Sequence, residues 1–133
     1  MTIQKYLQEL DEMIDLAPEV MRVEILRRSI WDTGMECVAI YRYKLTMIDE
    51  SLLELSERLV EMGTTLTITK YRHHWQNQHA QIIKRWDNAP HHRHLATFPD
   101  HVHDGAENNV LEHQAASGLE ILRNIISIMA DTR

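Results

Sequence analysis

Apolar and polar positions change their spacing several times along the chain, and each change predicts an element boundary. Residues 3–14 carry apolar side chains at intervals of three and four, from Ile3 to Ile14, which predicts an amphipathic N-terminal helix. Residues 35–47 alternate instead, with every second side chain apolar: Cys37, Ala39, Tyr41, Tyr43, Leu45 and Met47. This alternation predicts a strand with one buried face.

Two stretches fit either a helix or a strand. For residues 20–31 we favour a strand, because the turn signal Asp32-Thr33-Gly34 and the clear strand follow directly. Residues 52–61, LLELSERLVE, have the leucine spacing of an amphipathic helix. They also suit a strand between turns, with Leu53, Leu55 and Leu59 pointing inward, and both interpretations stay open.

The second half of the chain predicts a hairpin and a final helix. Residues 65–75 and 79–87 have strand composition and are joined by Gln76-Asn77-Gln78. Ser117 and Glu120 form a capping-box pattern that opens a helix with an apolar face from Leu119 to Met129. The predicted fold is α+β: an antiparallel meander sheet of about four or five strands, with an N-terminal and a C-terminal helix packed on it, in a single domain over residues 1–133.

Composition narrows the class of protein. No apolar run approaches the roughly 18 residues that a membrane span needs, and the single cysteine, Cys37, excludes an internal disulfide framework or a multi-cysteine zinc site. We therefore expect a cytoplasmic protein. The net charge is −6, yet residues 70–94 hold five basic residues against one acid. That window suits an anion or nucleic-acid site, and it equally suits solvated basic strand faces.

The histidines are concentrated in residues 85–105, RWDNAPHHRHLATFPDHVHDG, which contain five of the nine in the chain. Histidine titrates near neutral pH and is the commonest metal ligand, so this density indicates a site. Two prolines and a glycine interrupt the stretch, which predicts an irregular loop at the exit of the hairpin.

Several motifs together resemble a known family. The runs YRYKL, ITKYRHHWQ, RWDNAPHH (residues 85–92) and FPDHVH (residues 98–103), followed by a C-terminal helix, are similar in order and spacing to the TumE family over about residues 20–130. The turn Asp49-Glu50-Ser51 departs from the Asp-Gly-Ser that this family leads us to expect. The resemblance implies a cytoplasmic bacterial toxin that pairs with an antitoxin, one that carries a DNA-binding helix-turn-helix. It identifies no catalytic residue and leaves a homodimer open.

The residues themselves favour metal-independent RNA cleavage, with no cofactor. The RNA supplies its 2′-hydroxyl as nucleophile, so the protein needs only a base, an acid and a cation for the phosphorane charge. The candidate catalytic residues are His91, His92, His101, His103, Arg85 and Asp87. The candidate nucleic-acid-binding residues are Arg72, His74, Lys84 and Trp75. Trp86 shares a strand face with Ile82 and is predicted to lie in the core.

Two alternatives remain. His91, His101 and His103 offer three ligands for a catalytic metal ion, which we favour less because the surrounding residues are basic rather than acidic. A second alternative is a non-enzymatic module that binds nucleic acid or protein and whose histidines hold an anion or a metal.

Overall fold

A computed structural model describes residues 1–132 as two helices and one seven-stranded sheet. The elements in chain order are α1 (Ile3–Leu16), β1 (Val20–Asp32), β2 (Cys37–Met47), β3 (Leu52–Met62), β4 (Thr65–Gln76), β5 (Ile82–Asp87), β6 (His101–Asp104), β7 (Val110–Glu112) and α2 (Gly118–Asp131). Neighbouring strands pair antiparallel in the order β1 to β7, so the sheet is a meander. The predicted fold class is confirmed, whereas the predicted count of four or five strands is wrong.

The two ambiguous stretches both form strands. Residues 20–32 are β1, as favoured, and residues 52–62 are β3, with Leu53, Leu55 and Leu59 buried. The remaining extra strands come from the histidine segment, which was expected to be irregular. Its last part forms β6, and β7 follows. Four and three residues are too few for an alternation to be visible in the sequence.

Both helices cover one face of the sheet, which we call the inner face. The apolar side of α1 and the apolar side of α2 join the inward residues of β2 and β3 in one core. Trp75, Trp86 and Val102 extend that core along β4, β5 and β6, so the prediction for Trp86 is confirmed. Ser117 and Glu120 form the predicted capping box at the start of α2.

A polar cluster lies under the helices at the centre of this core. The hydroxyls of Tyr6 and Tyr41 both donate to Glu57 Oε1, and His73 Nε2 lies 4.0 Å from Glu57 Oε2. Burial raises the pKa of Glu57 to about 6 and lowers the pKa of His73 to about 3. A Cβ on Gly118 would lie 2.3 Å from the Tyr41 hydroxyl, so only glycine lets α2 approach this closely.

The turn between β2 and β3 shows why the family pattern leads us to expect glycine at position 50. Glu50 has φ 70°, which lies in the left-handed region that favours glycine. Asp49 Oδ1 accepts from both the backbone N–H and the hydroxyl of Ser51, which holds the turn. Within residues 1–132, neither helix is long and apolar enough to cross a membrane.

Candidate active site

A pocket of about 510 Å³ opens on the outer face of the sheet, opposite the helices, where β4, β5 and β6 lie side by side. Its walls are basic and histidine-rich. The lining residues are Lys70, Tyr71, Arg72, Arg85, Asp87, Asn88, Ala89, His91, His92, His101, His103 and Glu107.

Strand register brings the charged side chains of this pocket together. Arg72 on β4 pairs with Asp87 on β5, and Asp87 pairs with His101 on β6. Two positions along the same two strands, Arg85 pairs with His103. Because side chains of a strand alternate between faces, all five residues lie on the outer face while Trp86 and Val102 between them point to the core.

Asp87 is the centre of the pocket floor. Its Oδ1 lies 3.0 Å from His101 Nε2 and accepts from the backbone N–H of Ala89 at 3.0 Å, while Oδ2 lies 3.3 Å from Arg85 Nε. His103 Nε2 is 3.5 Å from Oδ2. Asp87, His101 and His103 are each at most 5 % exposed, so their charges act in a region of low dielectric.

Arg85 connects the floor to the pocket rim. Its guanidinium donates to both carboxylate oxygens of Glu107, at 2.7 and 2.5 Å, and reaches His103 Nε2 at 3.1 Å. The hydrogen bonds to Glu107 raise the pKa of Arg85, and those from Arg85 lower the pKa of Glu107. The two-pronged contact fixes the guanidinium plane beside the histidines.

His101 and His103 differ in the groups that their ring nitrogens face. His101 Nδ1 lies 2.8 Å from the Pro99 carbonyl oxygen, and its Nε2 lies 3.0 Å from Asp87 Oδ1, so both nitrogens face acceptors. His103 Nδ1 lies 2.7 Å from the Glu107 carbonyl oxygen, and its Nε2 lies between a donor, Arg85, at 3.1 Å and an acceptor, Asp87 Oδ2, at 3.5 Å.

His92 completes the histidine cluster from the loop between β5 and β6. Its ring centroid is 4.8 Å from that of His101 and 5.9 Å from that of His103. Partial burial, together with the neighbouring imidazoles, lowers the pKa of His92. One ring nitrogen from each of these three residues lies within 4.8 Å of the other two. The cluster could therefore hold a metal ion or exchange protons with a substrate.

A family model described as "Toxin TumE" matches residues 10–132, nearly the whole chain. The chain belongs to the TumE toxin family. No curated protein and no solved structure matches it. Membership in a toxin family indicates an antitoxin as partner, and it confirms the resemblance seen in the residue motifs.

The structure brings together most of the residues predicted as catalytic in this TumE-family chain. His101, His103, Arg85 and Asp87 form the floor, and His91 and His92 line the pocket from the loop. The three histidines that converge include His92, whereas the metal set predicted from the sequence has His91 in that place.

The residues predicted to bind nucleic acid lie in different parts of the molecule. Arg72 lines the pocket. His74 shares the outer face but borders a separate, smaller cavity next to Glu54, and Lys84 lies outside the pocket lining. Trp75 is buried in the core, where its indole N–H donates to Ser51 Oγ at 3.0 Å, so the site described here does not use it.

Five lining residues were not among the site residues predicted from the sequence: Lys70, Tyr71, Asn88, Ala89 and Glu107. Glu107 comes from the turn between β6 and β7, which was not foreseen, and no local pattern marks it. Asn88 and Tyr71 shape the opposite wall, where Asn88 Oδ1 accepts from the Tyr71 backbone N–H at 3.1 Å. The position of Asn88 directly after Asp87, in a turn-forming Asp-Asn-Ala-Pro run, was the only available signal.

Proposed function

We propose that this toxin is a ribonuclease and that the outer-face pocket is its active site. One observation carries the proposal: His101, whose two ring nitrogens both face acceptors, lies beside His92, whose pKa is lowered, in a pocket with a basic wall. An acid and a base side by side are what cleavage by an internal 2′-hydroxyl requires.

In the proposed reaction, His92 removes the proton of the 2′-hydroxyl and the resulting oxygen attacks the adjacent phosphorus. Arg72 and Arg85 stabilise the negative charge that develops on the phosphorane. His101 donates its proton as the bond from phosphorus to the 5′ oxygen breaks. The products are a 2′,3′-cyclic phosphate and a free 5′-hydroxyl, and no metal ion or cofactor takes part.

The remaining residues of the floor are positioning residues in this scheme. Asp87 holds His101 in its protonated form and fixes the ring. His103 and Glu107 hold the guanidinium of Arg85 in place. His91, exposed at the rim, is positioned to contact a phosphate of the incoming RNA.

The direct test is cleavage of a 5′-labelled RNA oligonucleotide by purified protein, with identification of the cyclic phosphate. We expect His92→Ala and His101→Ala each to lower the cleavage rate by about 100-fold or more, and an RNA with 2′-deoxyribose at the cleaved position to remain intact. His79→Ala and His113→Ala are matched controls, because both histidines lie outside the pocket lining. Full activity of both pocket variants would refute the assignment.

Induction in cells separates this proposal from a binding module. A ribonuclease causes growth arrest with rapid loss of RNA, and co-expression of the antitoxin, for which we propose a helix-turn-helix protein, prevents both. Growth arrest with intact RNA would favour a module that sequesters its target.

A metal-dependent nuclease is the second candidate, favoured by the convergence of His92, His101 and His103. Asp87, a candidate catalytic residue from the sequence, contacts two of these histidines and supplies a carboxylate beside them. Metal binding would require an unprotonated ring nitrogen on each of the three histidines. Elemental analysis of untagged protein and cleavage in excess EDTA decide: stoichiometric metal with EDTA-sensitive cleavage would replace the acid–base scheme.

A further inference from the structure

Among residues 1–132, the first strand of the sheet, β1, has a neighbour on one side only. Eleven of its thirteen residues pair with β2, and its other edge is open to any second strand. A long open edge is a template for pairing with another strand. Apolar side chains along β1 are unusually exposed: Met21 61 %, Val23 40 %, Ile25 60 %, Leu26 42 %, Ile30 48 % and Trp31 40 %. This number of exposed apolar side chains on one edge strand, between charged residues, indicates an interaction surface.

A β-bulge gives this strand a self-complementary charge pattern. The register with β2 shifts between Ile25 and Arg27, so that Glu24 and Arg27 lie on the same outer face, across from Lys44 and Arg42 respectively. Without the bulge, residues an odd number of positions apart would point to opposite faces.

The two charges face different partners across the strands: Glu24 lies opposite Lys44, whereas Arg27 lies opposite a like charge. Arg42, which faces Arg27 across the strands, pairs with Glu54 on β3. Among residues 1–132, no ion pair involves Glu24 or Arg27. Like charges directly opposite on paired strands are destabilising, so Arg27 lies where an additional carboxylate would be favourable.

We propose that two copies of this chain pair antiparallel along β1, with Glu24 of each copy opposite Arg27 of the other. In this register the two-fold axis passes between Ile25 and Leu26, and Met21 of one copy lies opposite Ile30 of the other. The pairing joins two seven-stranded sheets and buries the exposed apolar side chains. Because of the two-fold symmetry, it also forms two ion pairs, each between Glu24 of one copy and Arg27 of the other. The histidine pocket lies at β4 to β6, away from this edge, and stays open.

Charge reversal tests both the interface and its register. In analytical ultracentrifugation at micromolar concentration, we expect the mass of the wild-type protein to be twice that of a single chain. Glu24→Arg and Arg27→Glu each place like charges opposite one another twice, and we expect each to raise the dimer dissociation constant at least tenfold. The double variant Glu24→Arg/Arg27→Glu restores opposite charges and is expected to recover the wild-type constant within about threefold.

Matched controls are Asp15→Arg on α1 and Arg123→Glu on α2, which reverse exposed charges away from β1 and should leave the dimer unchanged. Circular dichroism shows that each variant is folded. A monomeric wild-type protein would overturn the proposal, and so would a double variant as weak as the single ones, since that result excludes the register. If the wild-type chain is monomeric and the single variants instead weaken antitoxin binding, β1 belongs to the antitoxin interface and the proposal is wrong.

Discussion

His101 Nε2 lies 3.0 Å from Asp87 Oδ1, across the β5–β6 pairing, on the buried floor of the pocket. Because the other ring nitrogen of His101 faces the Pro99 carbonyl oxygen, the ring is fixed between two acceptors.

Replacement of this carboxylate by an amide therefore removes the negative charge that Arg85, His101 and His103 share. We expect Asp87→Asn to lower RNA cleavage by at least about 100-fold and to destabilise the fold by about 3 kcal/mol, since it removes the carboxylate that the largely buried Arg85 guanidinium contacts on the pocket floor. Cleavage rates and urea unfolding measure the two effects. Asp104→Asn at the end of β6 is the control, and cleavage by Asp87→Asn within threefold of wild type would contradict the role of Asp87.

The pH dependence of cleavage reports the proposed base, His92. Because the pKa of His92 is lowered, it stays neutral below the ordinary histidine value of about 6.5. The rate kcat/KM is therefore expected to fall only at pH values below 6.5, where His92 becomes protonated. His94→Gln removes one of the imidazoles that lower this pKa, so the acid limb should move to higher pH. An unchanged acid limb in a His92→Ala variant that is still active would exclude His92 as the base.

The close approach of α2 to the sheet predicts the effect of one methyl group. In Gly118→Ala the new Cβ would lie 2.3 Å from the Tyr41 hydroxyl and 2.9 Å from Glu57 Oε1. The helix must shift outward, and we expect a loss of about 2 kcal/mol in the free energy of unfolding. Arg123→Ala on the exposed side of the same helix is the control. Equal thermal stability of Gly118→Ala and wild type would show that α2 docks differently.

The buried pair Glu57 and His73 makes opposite contributions to pH-dependent stability. The raised pKa of Glu57, about 6, means that the folded state binds its proton more tightly, so this stabilisation is full below about pH 4.5 and is lost as pH rises through 6. The lowered pKa of His73, about 3, means that the unfolded state binds its proton more tightly, so stability falls as pH decreases below 6.5. Between pH 4.5 and 6 the two slopes nearly cancel.

Glu57→Gln removes the contribution of Glu57 to the pH dependence of stability and leaves that of His73. Between pH 6 and pH 4.5, we expect the free energy of unfolding of the variant to fall by about 2 kcal/mol more than that of wild type. Urea unfolding at half-unit pH steps measures this difference, with Glu12→Gln, an exposed acid, as control. Parallel stability profiles for Glu57→Gln and wild type would mean that Glu57 does not titrate in this range.

The left-handed residue Glu50 predicts a stabilising substitution. Glu50→Gly relieves the positive φ of 70° and is expected to raise stability by about 1 kcal/mol. Ala80, with φ 61° in the turn after β4, offers a second instance in Ala80→Gly. Thermal unfolding midpoints check both, and a lower midpoint for each variant would show that the left-handed backbone carries no strain here.

Part of the fold was predictable because its signals are local. Alternation assigned the buried face of β2, and the Ser117–Glu120 pair marked the start of α2. The count of strands was not predictable, since β6 and β7 are too short to show alternation and the leucine spacing of β3 fits two periods. The sequence pointed to the histidine segment, and four histidines of that segment line one pocket. The three that converge include His92, whose position depends on the path of the loop from residue 88 to residue 100.

By itself, the sequence determined which side chains share a face within a strand, because the backbone alternates with a period of two. It thereby separated Arg85 and Asp87 from Trp86, and His101 and His103 from Val102. Only the tertiary structure decided which strands adjoin and in which register, because register is set by packing across the whole sheet. That register places His101 beside Asp87, and it leaves the apolar edge of β1 open.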